Sequence, residues 1–154
     1  MLGLKGDYMN TVIEKYGWKF SFDKNITSKY YENYLELCQC ESCENFYKNV
    51  KFISNDVKDF LVQFGIDITK PIEQESIVAD KSRQLVENTV YYAVNGNVIF
   101  SSNYDIQLGQ STIEVVPDEL SPNTDISQPY FVFAVRDIWL PWTVDYNIDD
   151  IYDD

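Results

Sequence analysis

Thr89-Val90-Tyr91-Tyr92-Ala93-Val94-Asn95-Gly96-Asn97-Val98-Ile99-Phe100-Ser101-Ser102 reads as two β-rich runs, 89–94 and 97–102, on either side of Asn95-Gly96. β-Branched and aromatic side chains suit a pleated, half-buried surface, and Asn-Gly tolerates the positive φ angles of a tight turn. The stretch therefore predicts a β-hairpin with a type I′ turn at Asn95-Gly96. Towards the C-terminus, residues 111–116 and 130–138 supply two more strands, with Pro117, Pro122 and Pro129 confined to the loop between them. Residues 139–146 read as a last edge strand interrupted by Pro141.

Working the other way, Trp18, Phe20 and Phe22 alternate with Lys19, Ser21 and Asp23, which fits a strand with one aromatic face buried. Residues 8–16 fit either a short helix through Val12, Ile13 and Tyr16 or a strand through Thr11. Thr27 or Ser28 is a suitable cap for a short helix carrying Tyr30, Tyr31 and Tyr34. A second helix is predicted from Ser42, with Glu44 at its positive end and Phe46, Tyr47, Val50 and Ile53 on one face. A third follows Asn55, with Val57, Phe60, Leu61 and Phe64 at helical spacing and Gly65 where a left-handed C-terminal residue is wanted. Residues 66–75, with Pro71, read as a connection. Helices that precede the strands predict an α+β fold, with short N-terminal helices packed on a mainly antiparallel β-sheet. No repeat or linker divides the chain, so residues 1–154 form one predicted domain with an acidic tail over about 147–154.

A chain of 154 residues is long enough to bury roughly two-thirds of the surface its unfolded form exposes. Nine Phe, twelve Tyr and three Trp provide for a substantial core and exclude global disorder. Twelve Lys and Arg stand against twenty-five Asp and Glu, a formal charge of −13. Such a charge repels phosphate backbones and anionic membranes, so neither nucleic acid nor a membrane is an expected partner. It serves solubility, or it forms a docking face for a basic protein partner by mimicry of nucleic acid. No apolar run reaches membrane-spanning length, and residues 1–10 lack the layout of a secretory signal. Three cysteines within six residues make no disulfide framework, which favours the reducing cytoplasm. The chain contains no histidine, which removes the usual general base, the commonest zinc ligand and every Ser-His or Cys-His pair. A non-enzymatic role is the expectation that follows.

Cys38-Gln39-Cys40-Glu41-Ser42-Cys43 is the one local pattern with chemical potential. Thiolates one and two residues apart can converge on a soft cation, and a helix starting at Ser42 favours their negative charge. A closed zinc site takes four ligands. With three thiolates available, the fourth falls to a carboxylate such as Glu41, to water or to a second chain. Against this stands core packing: Cys43 lies three residues before Phe46 and four before Tyr47, on an apolar helix face where free cysteine behaves as a small hydrophobe. Redox chemistry of the thiols is a third reading.

Tyr16-Gly17-Trp18-Lys19-Phe20, Tyr30-Tyr31-Glu32, the segment from Cys38 through Glu44-Asn45-Phe46-Tyr47, Phe64-Gly65-Ile66-Asp67, Lys70-Pro71-Ile72-Glu73 and Leu140-Pro141-Trp142-Thr143-Val144-Asp145 resemble a group of small, uncharacterised proteins from Gram-positive bacteria. The pattern is YGWKF…CxCxxCxNFY…FGID..KPxE…LPW and spans both ends of the chain. Residues 80–107 match it less well. The group carries no assigned activity, so the resemblance implies no catalytic or binding residue.

Other candidates are weaker. Glu73 with Glu75, and Asp118 with Glu119, fall in predicted loops, where solvated charge is the ordinary state of a carboxylate. The six glycines are scattered and form no phosphate-binding loop. Trp139, Trp142 and Tyr146 cluster around Pro141, either as a recognition surface or as the seal on a sheet edge. The leading expectation is thus an acidic binding or interaction protein of the cytoplasm, without cofactor, with a protein partner and with homo-oligomerisation as a further possibility. The alternative is a protein that binds zinc or iron through Cys38, Cys40 and Cys43. A carboxylate-based hydrolase stands third.

Overall fold

The computed structural model describes residues 10–34, 37–145 and 147–148. Its first element is a hairpin of β1 (Thr11–Lys15) and β2 (Trp18–Phe22), paired antiparallel with Lys15 opposite Trp18. The turn between them, Tyr16-Gly17, has φ of 57° and 80° at its two central residues, the signs a type I′ turn needs. Three helices follow: α1 (Lys24–Asn33), α2 (Glu41–Asn49) and α3 (Asn55–Val62). The chain then forms β3 (Glu73–Asp80), β4 (Leu85–Phe100), β5 (Ile106–Leu108), β6 (Ser111–Val115) and β7 (Tyr130–Pro141). The strands make one seven-stranded sheet in the order β1-β2-β4-β7-β6-β5, with β3 also paired to β4. Every pairing is antiparallel, so the expected α+β class holds.

Asn95-Gly96 is not a turn. The chain runs straight through it as the middle of the sixteen-residue β4. Residues 85–91 pair with β3, and the strand is handed to β2 at Gly96, which lies opposite Phe22. Of the two positive φ angles expected at Asn95-Gly96, only that of Gly96 is present, at 151°, and its use is close approach. A Cβ there would sit 2.3 Å from Ser21 O and 2.6 Å from Phe22 Cα, so only glycine fits. Asn95 completes the junction, its carbonyl accepting from Asp23 N at 3.0 Å and its amide donating to Ser127 O at 2.8 Å.

Other boundaries also move. Asp23, rather than Thr27 or Ser28, caps α1, its Oδ1 accepting from Ile26 N at 2.9 Å. α2 begins one residue before Ser42 with Cys40 as its cap, and Ser54 precedes α3. Gly65 ends α3 as expected, with φ 89°. Residues 73–75, read as connection, belong to β3. Residues 139–141 are no separate strand, since they continue β7, pairing there with β4 beyond the end of the β6 pairing at Arg136. The proposed acidic tail lies almost wholly outside the described residues.

β7 carries the register device of the sheet. Phe131, Phe133 and Val135 face the main core before a bulge, and Ile138 and Leu140 face it afterwards, a change of parity. The pairing shifts by one residue between Asn88 and Val90 of β4, and Asp137 takes φ 62° at the extra residue. Without that insertion Ile138 and Leu140 would turn outward. The helices cover this inner face. Phe64, just beyond α3, packs edge-on or tilted against Phe22 at 4.6 Å, Phe133 at 5.1 Å and Phe20 at 5.4 Å between ring centroids. Each such ring, fully buried, contributes about 1.5–3 kcal/mol. A smaller cluster of Ala93, Val116, Ile126, Val132 and Ala134 packs separately from the main core.

Candidate metal centre

Helix α2 is fixed to the sheet by amides rather than by apolar contact alone. Asn45 and Asn49 are buried, and their side chains donate to Pro141 O at 3.0 and 3.2 Å. Thr143 N donates to Asn45 Oδ1 at 2.8 Å, and Asn49 donates to Thr143 Oγ1 at 2.9 Å. Because all of these groups are paired, the helix has one seat on the end of β7. Its first turn, and Cys43 with it, is thereby held above β3.

Cys38, Cys40 and Cys43 come together there, with their sulfur atoms all within 4.8 Å of one another. Cys38 and Cys40 are exposed on the segment leading into α2, and Cys43 is buried beneath them. The lead-in segment is folded back by Tyr47, whose hydroxyl donates to Cys38 O at 2.8 Å. Cys40 N donates to Cys38 Sγ at 3.4 Å, and this bond, with help from the Cys40 thiol, lowers the Cys38 thiol below its ordinary 9.0. Burial pushes the Cys43 thiol up, and the two neighbouring thiols add to the shift. The cluster therefore joins an accessible sulfur whose thiol is shifted down to a sheltered one whose thiol is shifted up.

Cys43 is buried, as the core-packing reading expects, but it also has a polar contact. Its thiol donates to Gln74 Oε1 of β3 at 3.4 Å. Behind Gln74 stands a polar strip on the helix-covered face of the sheet. Gln74 Nε2 donates to Ser76 Oγ and, at 3.0 Å, to Asn88 Oδ1. Ser76 Oγ donates to the same Asn88 Oδ1 at 2.7 Å. Asn88, fully buried, ends the chain by donating to Ile138 O at 3.1 Å. Sequence reading found the three cysteines from their spacing. It missed Gln74 and Ser76, which lie in a strand not recognised, and Asn88, one residue before the stretch taken for a hairpin.

Trp142 is buried in the main core and Trp139 is half exposed on β7, while Tyr146 lies outside the described residues. Glu73 and Glu75 are on β3 rather than in a loop, with Glu75 accepting from Tyr91 Oη at 3.2 Å. Asp118 and Glu119 form a short 3-10 turn. No helix among the described residues is long and apolar enough to cross a membrane. Compared with known proteins, the chain matches no family model, no curated protein and no solved structure.

Proposed function

We propose that this protein binds a soft metal cation, zinc in the first instance, through the thiolates of Cys38, Cys40 and Cys43. The observation that carries the reading is the convergence of three sulfurs to within 4.8 Å. Tetrahedral zinc with Zn–S bonds of about 2.3 Å holds its sulfurs about 3.8 Å apart, so closure on the ion asks for a movement of about 1 Å at most. Two further facts favour it. The sulfurs gather at the N-terminus of a nine-residue helix, where negative charge is stabilised, and the buried Cys43 faces a polar group rather than an apolar wall. The acidic exterior is compatible with docking to a basic protein, but charge spread over a chain of net −13 selects no site. The role is one of binding, without a catalytic step.

Elemental analysis of protein purified under reducing conditions and desalted after exposure to zinc tests this. Close to one equivalent of zinc is expected, falling to background in the triple variant Cys38→Ser, Cys40→Ser, Cys43→Ser. Wild-type protein with no more zinc than the triple variant would overturn the reading.

A further inference from the structure

We infer that Gln74 is the fourth ligand of the cluster, through Oε1, so that the site is a closed centre of three thiolates and one amide oxygen rather than an open one. The inference rests on the metal-binding reading above and adds the residue that completes it.

The orientation of the Gln74 amide is fixed by a chain of hydrogen bonds that begins at a backbone carbonyl. Ile138 O can only accept, so the Asn88 group that meets it at 3.1 Å is the NH2. Asn88 Oδ1 must then point the other way, where it accepts from Ser76 Oγ at 2.7 Å and from Gln74 at 3.0 Å. The Gln74 group facing it is therefore the NH2, whose hydrogens are taken by Asn88 and Ser76. That leaves Oε1 aimed at Cys43. A flipped Gln74 would set two acceptors against each other at Asn88, so the oxygen has one place.

The distance suits a shared cation. A sulfur at about 2.3 Å and an oxygen at about 2.0–2.2 Å from tetrahedral zinc are about 3.5–3.7 Å apart. Cys43 Sγ and Gln74 Oε1 are 3.4 Å apart with a proton between them. A cation replaces that proton with little movement of either atom. Glu41, the carboxylate suggested by sequence adjacency, lies on the exposed first turn of α2. Gln74, in contrast, already contacts a ligand sulfur and is braced from behind, the arrangement that outer-shell hydrogen bonds give to metal ligands.

The sheet itself supplies the second argument. Along the helix-covered face of β3 and β4, Val78, Val86, Val90, Tyr92 and Val94 belong to or pack against the main core. The pattern becomes polar at Gln74, Ser76 and Asn88, the three residues that lead to Cys43. An apolar strip there would pack against α2 without any need for satisfied amides, so its polarity points to a ligand at the thiols.

Cobalt(II) is the probe, since its visible d–d bands report coordination and its sulfur-to-metal charge-transfer band reports the thiolates. Wild type, Gln74→Leu, Gln74→Asn, Gln74→Glu and Glu41→Gln are titrated, each checked by far-UV circular dichroism without metal. Gln74→Leu and Gln74→Asn, which withdraw or shorten the ligand, are expected to bind at least about 10-fold more weakly, taking even outer-shell losses as the lower bound. Their d–d bands should shift while the charge-transfer band is kept. Gln74→Glu, which restores an oxygen, should recover the affinity to within a few-fold, and Glu41→Gln should match wild type. Unchanged d–d bands in both Gln74→Leu and Gln74→Asn, with or without weaker binding, would overturn Gln74 as a ligand and leave the three-thiolate reading intact. Absence of the charge-transfer band in wild type would instead remove that reading, and this inference with it.

Discussion

Two stretches of one sheet face are built on opposite principles. Beneath α3, the face is a block of rings, in which Phe133 meets Phe20, Phe60, Phe64 and Phe131 at centroid distances of 5.1–5.5 Å. Beneath the start of α2, it is Gln74, Ser76 and Asn88, joined to one another and to Cys43 by hydrogen bonds. Burial of rings stabilises the fold directly. A buried amide contributes only about 0.5–1.5 kcal/mol when paired and costs about 1–3 kcal/mol when left unpaired. The difference teaches which part of the molecule is shaped by stability and which by something else, and it can be broken from either side.

The largest effect is expected in the aromatic block. Phe133→Ala should lower the unfolding free energy by about 3–5 kcal/mol, because the four neighbouring rings cannot collapse into the space. Urea unfolding measures this, and zinc stoichiometry of the folded fraction should be unchanged. A loss of zinc binding equal to the loss of fold stability would mean that the two regions are not separable.

The same core sets the alkaline limit. Tyr31 and Tyr92 are buried, with hydroxyls donating to Ala93 O at 2.8 Å and Ile68 O at 2.7 Å. Burial raises both above the ordinary tyrosine value of 10.0. The unfolded chain loses these protons near that pH and the folded chain holds them, so the unfolded state binds fewer protons above it. Their contribution is therefore complete below about pH 10 and declines as pH rises towards the folded values, by about 1.4 kcal/mol per pH unit for each. Urea midpoints between pH 8 and pH 11, on the order of the tyrosine pKa, should be level at first and then fall. A profile still level at the upper end would show that these phenols ionise in the folded state.

Next in size is Asn88→Ala. It leaves Gln74 Nε2 and Ser76 Oγ without their common acceptor, for a loss of about 1–3 kcal/mol. It also frees the Gln74 amide to turn, so metal affinity should fall although no thiol has been touched. Stability lost at unchanged affinity would contradict the fixed orientation of that amide.

How much of this could be read from the chain follows the same division. The ring block announced itself through Trp18, Phe20 and Phe22 at period two and through Val57, Phe60, Leu61 and Phe64 at helical spacing, because apolar burial leaves a binary pattern. β3 was invisible for the opposite reason. In Glu73-Gln74-Glu75-Ser76 both faces are polar, one towards solvent and one towards the thiols, and alternation disappears. Asn95-Gly96 misled because turn propensity reports only a tolerance of positive φ; hairpin turns fall elsewhere, as at Tyr16-Gly17, where the first residue is a tyrosine at φ 57°. The cap residues slipped because Asp23 competes with Thr27 and Ser28, and Ser54 with Asn55, among favoured N-cap types, while Cys40 caps α2 without a side-chain hydrogen bond. Among the site residues, the cysteines were legible by adjacency. Gln74 lies 31 residues from Cys43 and was reachable only through the fold.

The smallest effect on stability is expected from the most extensive change. Replacing the whole polar strip together, as Gln74→Leu, Ser76→Ala and Asn88→Leu, removes donors and acceptors as a set; outside the strip, Ile138 O, Val86 O and the Cys43 thiol each lose a side-chain partner. Exchange of a paired network for apolar groups of similar shape is close to neutral, so the triple variant should unfold within about 1 kcal/mol of wild type. Zinc affinity should nevertheless drop at least about 10-fold, since the thiols then face hydrocarbon instead of a braced amide. That pairing of results, stability kept and binding lost, separates a strip present for the metal from one present for the fold. A triple variant as unstable as Asn88→Ala, with zinc affinity intact, would show that the amides serve α2 alone and that Cys43 contacts Gln74 by proximity.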